Sequence, residues 1–545
     1  MGEAATQLTL ISKSGKDSCS VRDYIYKRQT PEIIIAFCGA VGSGVSTVAK
    51  ELHNQMLKSS YNYKVEYIKV SEIISTLASV VKSSIDDRWY SEFSVKGKRI
   101  SSLQEIGNAL RKDYSHDILA QFIIGKINQT RADRHLSDDG RKKLLEGEDP
   151  AEPLRIVWII DSLKNPEEVE TLRAVYGSMF YLIGVLCPED KRQARLINKD
   201  VTATEASLII DKDKSEPDKF GQQLIDTIHK SDYFISNSYE NTEPVKISIQ
   251  RCIDILFGET KTPTKNEHAM FVAQSAAYNS ACLSRQVGAS IADTDGTIIS
   301  YGCNDVPKYG GGLYCTEDGC NDNRCYKTHD IACRSTKEKD KIKAIINGII
   351  DGKLSDGIKT DELLEVIIKQ SGIKNLTEYS KAVHAEMDAI LKMVRSEGSI
   401  PKGSTMFVTT YPCHNCAKHI VASGITTVYY IEPYEKSLAS KLHSDSITLD
   451  PEKTERKVRF IPFDGVAPRQ FQKFFKMHGD RKGAADISIE TLQSKIPISE
   501  KFLDTYGFYE GKVLESLKEM ELSSMLQASL RGGGESEEKK PGESK

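Results

Sequence analysis

The sequence predicts an α/β protein with two domains, each built around a β-sheet. Over residues 31–260, short apolar runs of strand length alternate with helix-like stretches, which is typical of a parallel sheet covered by helices. A second series of such alternations follows the polar segment 258–265, where the composition changes. We place the domain boundary in this segment. The chain has 545 residues, enough for about three to four units of ordinary domain size.

These patterns divide the chain into four parts. Residues 1–30 are a polar amino-terminal extension, and residues 31–260 form the first domain. The second domain covers residues 265–480 and carries a highly charged insertion at 334–378. Residues 481–545 are a carboxy-terminal extension whose last part has the composition of a disordered tail.

The composition argues against several classes of protein. The 74 Lys and Arg residues nearly balance 77 Asp and Glu residues, for a formal charge of −3, so the chain lacks the positive excess that binds a phosphate backbone. Its longest apolar runs are far shorter than the roughly 20 residues that span a bilayer. The amino terminus shows no signal-peptide pattern. We therefore expect a cytoplasmic protein with no membrane partner and no nucleic-acid substrate.

The first domain opens with a buried strand over residues 31–37, then Gly39-Ala-Val-Gly-Ser-Gly44-Val-Ser46-Thr47, then a helix. A glycine-rich loop between a strand and a helix is the context of a phosphate-binding loop, in which backbone amides hold phosphate and a hydroxyl holds Mg²⁺. An acidic residue at the end of the strand over residues 155–160 is suited to orient that metal. The candidate residues are Gly39, Gly42, Gly44, Ser46, Thr47 and Asp161.

Val45 stands where such a loop normally carries Lys. Losing that ammonium removes the charge that contacts the β- and γ-phosphates, so we do not expect efficient phosphoryl transfer. The domain resembles nucleoside monophosphate kinases in outline, which implies a ligand such as ATP, GTP or another nucleotide with Mg²⁺. Arg192 and Arg195 either line a lid over this loop or are solvated helix charges.

The second domain contains His384-Ala-Glu386 and, 29 residues after the histidine, Pro412-Cys413-His-Asn-Cys416. Both groups stand where a helix is predicted to begin, and the positive end of a helix favours thiolate. One imidazole and two thiolates leave the fourth position of a tetrahedral zinc ion open, as in catalytic sites. We assign His384, Cys413 and Cys416 as zinc ligands and Glu386 as the proton carrier. The alternatives are an ordinary helix histidine and half of a structural zinc ribbon.

The H-x-E and P-C-x-x-C pair is the signature of zinc deaminases. With Ser280-Ala-Cys282-Leu-Ser-Arg285-Gln-Val287-Gly and Gly302-Cys-Asn304-Asp-Val-Pro307, residues 268–470 closely resemble the deoxycytidylate deaminase family. The resemblance implies a cytidine deaminase-like α/β/α fold and hydrolysis of a deoxycytidine nucleotide to the deoxyuridine nucleotide and ammonia. It also implies that Asn304 bonds the sugar, the backbone at Ala385 recognises the pyrimidine, Tyr434 lies near the substrate, and Arg395 meets a phosphate.

A second group of metal-binding residue types lies between the motifs of this domain. Its members are Cys315, Cys320, Cys325, His329 and Cys333. Four such donors could fill the coordination of a second, structural zinc ion. Free reduced thiols are the alternative.

The whole chain resembles the bacterial anti-phage dCTP deaminases, in which a degenerate P-loop kinase-like domain precedes the deaminase domain. That resemblance implies turnover of dCTP, and of dCMP as a second candidate, to deplete phage precursors. It further implies a regulatory first domain, a homo-oligomer, and an inhibitory RNA or protein as partner. Two other hypotheses remain: a deaminase of bases within RNA or DNA, and a nucleotide-sensing regulator whose deaminase domain is an inactive scaffold. No dense Lys/Arg cluster adjoins either motif, which favours small nucleotides.

Overall fold

Two mixed β-sheets of six strands each organise the described part of the chain. The structure is a computed structural model. It describes residues 31–81, 96–138, 140, 142, 154–214, 223–327, 340–341, 344–345, 348, 380–434, 437–453, 456–476 and 506–526. We refer to residues 31–258 as the amino-terminal unit and to residues 265–476 as the carboxy-terminal unit.

The amino-terminal unit alternates strands and helices, as the sequence predicts. Its described strands are β1 (Ile33–Gly39), β2 (Lys64–Lys69), β3 (Ile156–Leu163), β4 (Phe180–Leu186) and β5 (Tyr233–Ser236). Its described helices are α1 (Val45–Lys58), α2 (Val70–Leu77), α3 (Lys96–Asp113), α4 (Ile118–Arg134), α5 (Pro166–Tyr176), α6 (Glu189–Ile197), α7 (Ala203–Lys214), α8 (Leu224–His229) and α9 (Glu243–Leu256). Short 3₁₀ turns at Ala78–Val80 and Gly177–Met179 continue α2 and α5.

The strands of this unit pair in parallel in the order β5-β4-β1-β3-β2. Every residue of β1 is buried, because helices cover both faces of the sheet. Alternate β1 side chains point to opposite faces: Ile33, Ile35 and Phe37 pack with α1 and α9, while Ile34 and Ala36 face the other helices. The carboxyl ends of these strands therefore form one edge of the sheet, where β1 runs into the glycine-rich loop.

The carboxy-terminal unit contains the second sheet, in the order β10-β11-β9-β8-β6-β7. Strands β7, β6 and β8 pair antiparallel, and β8, β9, β11 and β10 pair in parallel. The strands are β6 (Gly288–Ala292), β7 (Ile298–Cys303), β8 (Thr405–Thr410), β9 (Thr427–Glu432), β10 (Ile447–Thr448), β11 (Val458–Pro462) and β12 (Gly465–Val466). The described helices are α10 (Lys265–Ala277), α11 (Ala385–Glu397), α12 (His414–Ser423), α13 (Ala439–Leu442) and α14 (Phe471–Phe475), with 3₁₀ turns at Thr316–Asn321 and Pro468–Gln470.

The two units share one sheet and one core. Strand β12 belongs to the carboxy-terminal unit by sequence, yet it pairs antiparallel with β5 and completes the first sheet. Just before it, Asp464 accepts hydrogen bonds from the backbone N–H of Ser236 (2.8 Å) and from the Ser248 hydroxyl (2.7 Å). One hydrophobic cluster contains residues of β1 together with Met270 and Phe463. The predicted boundary at 258–265 therefore separates two stretches of sequence that pack as one body.

The carboxy-terminal extension contributes helix α15 (Tyr506–Glu519), which packs against α4 and α5 of the amino-terminal unit. Its Glu510 is fully buried and accepts hydrogen bonds from Arg131 (2.7 Å), Asn128 (2.9 Å) and Tyr176 (2.8 Å). The Arg131 guanidinium also binds both carboxylate oxygens of Glu32 (2.9 and 3.0 Å). A buried charge network therefore joins this helix to the first unit.

Some predicted elements differ from the structure. The stretch 211–220 is charged and contains Pro217, a pattern that predicts a surface loop, yet α7 continues to Lys214. The apolar pattern of residues 103–128 predicts mainly helix, and the structure agrees: α3 ends at Asp113 and α4 begins at Ile118. The charged insertion at 334–378 lies almost entirely outside the described residues. Among the helices that the structure describes, none is both long and apolar enough to cross a bilayer.

Candidate active site

Three metal-binding side chains meet where α11 and α12 begin. His384 precedes α11 and Cys413 precedes α12, each as the N-cap residue, and Cys416 lies in the first turn of α12. The Nδ1 atom of His384 lies 3.3 Å from the Sγ atoms of both cysteines. In tetrahedral zinc coordination a nitrogen and a sulfur ligand are about 3.5 Å apart. The three predicted ligands are therefore spaced to hold a zinc ion, and within the described residues no other group gathers three such donors.

The charges of these side chains depend on one another. The hydrogen bond with Cys416, reinforced by His384, lowers the pKa of Cys413 to about 4. The pKa of His384 rises to about 9, chiefly through its hydrogen bond to Cys413. The pKa of Cys416 rises because it shares a hydrogen bond with Cys413 and because it is buried. Neither helix has a side-chain cap, so backbone N–H groups and the helix dipoles also favour negative charge here.

Glu386 lies in the first turn of α11 and is 4% exposed. Burial raises the pKa of its carboxyl group, while the charge of His384 opposes that rise. A raised carboxyl pKa suits a group that takes up and returns a proton near neutral pH. The predicted proton carrier therefore sits beside the three metal donors in an environment that favours the protonated form.

Gly302 allows α11 to lie directly on β7. A Cβ atom added to Gly302 would lie 2.4 Å from the backbone nitrogen of Ala389 and 2.5 Å from the carbonyl oxygen of Ala385. Any larger residue would push the start of α11, and with it Glu386, away from the sheet. Ser300 lies on the same strand as Gly302, and its hydroxyl donates a hydrogen bond to the carbonyl oxygen of Ala389 in α11 (2.7 Å).

The comparisons with known proteins agree with this geometry. Residues 263–432 match the family described as the cytidine and deoxycytidylate deaminase zinc-binding region. Deoxycytidylate deaminase of Enterobacteria phage T4 is 32% identical over 168 residues, covering 30% of this chain and 77% of that protein. The chain belongs to the cytidine and deoxycytidylate deaminase family. The matched region holds all three metal donors and Glu386.

Two further comparisons extend the range of relatives. Deoxycytidylate deaminase of Mus musculus is 26% identical over 205 residues, covering 38% of this chain and 78% of the mouse protein. The crystal structure of dCMP deaminase from the cyanophage S-TIM5 is 20% identical and covers 37% of this chain and 100% of that chain, with a TM-score of 0.21.

Asn304 is buried at the edge of the deaminase site. Its Oδ1 atom accepts from the backbone N–H of Val287 (2.7 Å), and its Nδ2 atom donates to the carbonyl oxygen of Arg285 (2.7 Å). The residue predicted to bond the sugar thus holds the 285–287 segment in place. Tyr434 lies near the same place: burial raises the pKa of its hydroxyl, the charge of Cys413 adds to the rise, and that of Arg285 opposes it. Ala385, whose backbone is predicted to recognise the pyrimidine, is buried at the start of α11.

Arg395 lies apart from the other substrate-side candidates. It is exposed in the last turn of α11, ten residues after Ala385, which places it about 15 Å along the helix. Its guanidinium lies against the loop that contains Gly310, Gly311 and Gly312. A Cβ atom added to Gly311 would be 3.0 Å from Nη1 of Arg395. The contact predicted for Arg395 is with a phosphate of the nucleotide, and that contact stays a prediction.

The glycine-rich loop between β1 and α1 contains the residues that the sequence assigns to phosphate and Mg²⁺ binding. Gly42 and Gly44 adopt left-handed conformations, with φ of 82° and 87°. A Cβ atom on Gly44 would also lie 2.3 Å from Nδ2 of Asn237. Ser46 and Thr47 are exposed at the start of α1, whereas Asp161 is buried and accepts a hydrogen bond from Tyr67 (2.8 Å). Gly39 ends β1 at the entrance to the loop.

The sequence analysis missed two residues that contact this loop, Lys164 and Asp213. Asp213, predicted to lie in a surface loop, accepts a hydrogen bond from the backbone N–H of Val41 (2.6 Å) and pairs with Lys164 (2.8 Å). Lys164 also donates to the carbonyl oxygen of Gly39 (2.7 Å). Lys164 directly follows β3, so it lies at the carboxyl edge of the parallel sheet, where the glycine-rich loop also lies. This position could have predicted its contact with the loop.

Arg192 and Arg195 lie on α6 and both face the loop. Arg192 donates to the carbonyl oxygen of Val41 (3.4 Å) and is 7% exposed, and Arg195 donates to that of Ser43 (3.2 Å). The structure therefore favours the loop-lining interpretation of these arginines over that of solvated helix charges.

The proposed second zinc group is only partly described. Cys315, Cys320 and Cys325 form no disulfide, and the backbone N–H and the Sγ atom of Cys315 donate hydrogen bonds to Asp318 (2.7 and 3.3 Å). His329 and Cys333 lie outside the described residues. A second zinc site stays a prediction.

Proposed function

We propose that this protein hydrolyses deoxycytidine nucleotides to deoxyuridine nucleotides and ammonia. The observation that carries the proposal is the meeting of His384, Cys413 and Cys416 at two helix N-termini, with buried Glu386 beside them. Zn²⁺ held by these donors supplies a Lewis acid and makes a bound water acidic enough to attack near neutral pH.

The chain's own groups account for the proton transfers. A carboxylate oxygen of Glu386 takes a proton from the attacking water and gives it to N3 of the pyrimidine. The same residue then passes a proton to the departing amine, so that cytosine and water yield uracil and ammonia. The raised pKa of Glu386 favours both transfers, because a carboxyl group with a pKa closer to neutral exchanges its proton more readily.

A small nucleotide is the substrate class that the observations favour. The T4 relative is named a deoxycytidylate deaminase, and the net charge of −3 disfavours binding to a polynucleotide. We propose dCTP as the preferred substrate and dCMP as the second, following the resemblance of the whole chain. A panel of dCTP, dCMP, CTP, cytidine and single-stranded DNA and RNA, assayed for ammonia release by the zinc-loaded protein, tests this. No turnover of any deoxycytidine nucleotide would contradict the proposal, and turnover of the polynucleotides alone would favour the base-editing alternative.

Replacing Glu386 with Gln separates catalysis from a scaffold role. Because Gln cannot carry the proton, we expect kcat to fall about 10²- to 10⁴-fold. Zinc content and the melting temperature should match those of the wild-type protein. If a cellular effect of the protein is undiminished in this variant, the result supports the nucleotide-sensing regulator, and the catalytic hypothesis is wrong.

We further propose that the amino-terminal unit binds the phosphates of a regulatory nucleotide. Two left-handed glycines form the loop, and three cations, Lys164, Arg192 and Arg195, surround it where Val45 replaces the usual lysine. Isothermal titration with ATP, GTP, dTTP and dCTP, with and without Mg²⁺, tests the proposal. Arg195→Ala should weaken binding at least fivefold, since it removes one charge from the loop. Equal affinity of both proteins would contradict a site at this loop.

The cellular role that we propose is depletion of dCTP during phage infection. It follows the resemblance of the whole chain to anti-phage deaminases. In cells that carry the wild-type gene, infection should lower the dCTP pool, while cells with Glu386→Ala should keep it. Light scattering of the purified protein tests the proposed homo-oligomer, and pull-down from uninfected cells tests the proposed inhibitory RNA or protein.

A further inference from the structure

The carboxylate of Glu432 is shared between the two units. Glu432 ends β9, and its Oε1 atom lies 2.8 Å from Nδ1 of His229, the last residue of α8 in the amino-terminal unit. Its Oε2 atom accepts from Arg285 (3.0 Å) and from the hydroxyl of Thr410 (2.9 Å). One acidic group thus joins a histidine of the first unit to an arginine of the second.

Glu432 is more buried than its two partners, because the side chains of His229 and Arg285 are 35% and 43% exposed. The side chain of Glu432 is only 13% exposed, and both of its oxygens are occupied. The chain just after His229 is also held by the carboxy-terminal unit. Arg469 donates to the carbonyl oxygen of Ser231 (2.9 Å), and Gln470 donates to Asp232 (2.6 Å).

Glu432 also touches the strand that leads into the metal ligands. Its carbonyl oxygen accepts from the backbone N–H of Tyr411 (2.8 Å), two residues before Cys413. Its carboxylate holds Thr410 at the end of β8. The residue that contacts His229 therefore also holds the segment that leads from β8 to Cys413.

Arg285 carries the connection to the substrate side. Asn304 fixes its backbone, and Glu432 fixes its guanidinium, which is 43% exposed and lies close enough to Tyr434 to affect the pKa of that residue. A fixed guanidinium at the edge of the pocket attracts an anionic nucleotide more strongly than a mobile one, because less side-chain freedom is lost on binding.

We propose that His229 is a positioning residue for deamination, supplied by the amino-terminal unit. It holds Glu432 in the orientation that presents Arg285 to the nucleotide. This inference rests on the proposed function and adds that the deaminase pocket depends on a residue that lies outside the matched family region. Without His229, Oε1 loses its partner, and the carboxylate is held through Oε2 alone, by Arg285 and Thr410.

The test compares His229→Ala with His229→Asn in the full-length, zinc-loaded protein. Loss of the histidine should raise KM for the deoxycytidine nucleotide roughly five- to tenfold and leave kcat within about twofold, because ground-state and transition-state binding weaken equally. Asn places an amide N–H near the position of Nδ1, so it should restore most of the affinity. Lys230→Ala is the matched control. It removes the neighbouring side chain, which pairs with Glu170 and not with Glu432, and should leave KM unchanged.

Equilibrium binding of dCMP in a Glu386→Ala background gives a second readout that needs no turnover. His229→Ala should weaken binding there by the same factor. If KM and affinity stay unchanged in His229→Ala, or if kcat and the melting temperature fall while KM does not move, the inference is wrong and the proposed function is untouched. If the wild-type protein turns over no deoxycytidine nucleotide, the proposed function itself fails.

Discussion

Replacing Glu510 with Ala should release helix α15 from the amino-terminal unit. Glu510 is fully buried, and it accepts hydrogen bonds from Arg131, Asn128 and Tyr176 at 2.7 to 2.9 Å. Alanine removes the acceptor of all three donors at once. Arg131 keeps its two bonds to Glu32, so its charge is still compensated on one side.

The size of the effect follows from counting these donors. A buried polar group left without a partner costs about 1 to 3 kcal/mol, so three such groups cost about 3 kcal/mol or more. Leaving a buried charge without any partner costs about 3 to 5 kcal/mol, which is the upper limit here because Arg131 still pairs with Glu32. We therefore expect the free energy of unfolding to fall by about 3 to 5 kcal/mol. Water that enters beside the unpaired donors would bring the loss to the lower value.

Fluorescence of Trp158 offers a local assay. Trp158 is fully buried in β3, and the Arg131 guanidinium lies 5.8 Å from the centre of its ring. The chain has two tryptophans, so Trp89→Phe leaves Trp158 as the single reporter. Urea unfolding of Glu510→Ala in this background should show a clearly lower midpoint. Glu515→Ala on the same helix is the control, because Glu515 pairs with Lys512 in solvent and should contribute less than about 1 kcal/mol. Equal midpoints for the two variants would refute this reasoning.

Three further predictions concern the metal, the packing of α11 and the effect of pH. A chelator should abolish deamination and lower the melting temperature, and added Zn²⁺ but not Mg²⁺ should restore both, because two thiolates and an imidazole suit zinc and not magnesium. Gly302→Ala should reduce both kcat and bound zinc at least tenfold, since its Cβ would meet the start of α11, whereas Gly511→Ala, with open space around it, should be neutral. Burial raises the pKa of Asp464 to about 6 from the ordinary 3.8, so the folded protein binds the proton of this carboxyl group more tightly than the unfolded chain does. The stability that this proton contributes is therefore lost as the pH rises through that range. Melting temperatures from pH 4 to 7 should therefore depend less on pH in Asp464→Asn, and parallel curves for the two proteins would contradict this.

The catalytic group could be predicted from sequence because its parts are local. His384 and Glu386 are two residues apart at a helix start, and Cys413 and Cys416 are three apart, so short spacing alone brings each pair together. The glycine-rich turn between β1 and α1 could also be predicted from sequence, since Gly42 and Gly44 take backbone conformations that other residues avoid. Arg395 lies at the other end of α11 from the metal donors, and its predicted contact with a phosphate stays a prediction.

By itself, then, the sequence determined the α/β class, the strand and helix alternation, and which residues are candidates for metal donors and proton carrier. These features depend on hydrophobic periodicity and on spacings within one or two turns, which the chain encodes locally. Only the tertiary structure decided how the parts combine: β12 completes the first sheet, Glu510 anchors α15, and Glu432 joins His229 to Arg285. These partners are separated by 147 to 379 residues along the chain. Their contacts arise from the packing of distant surfaces around a shared core, and no local pattern records that packing.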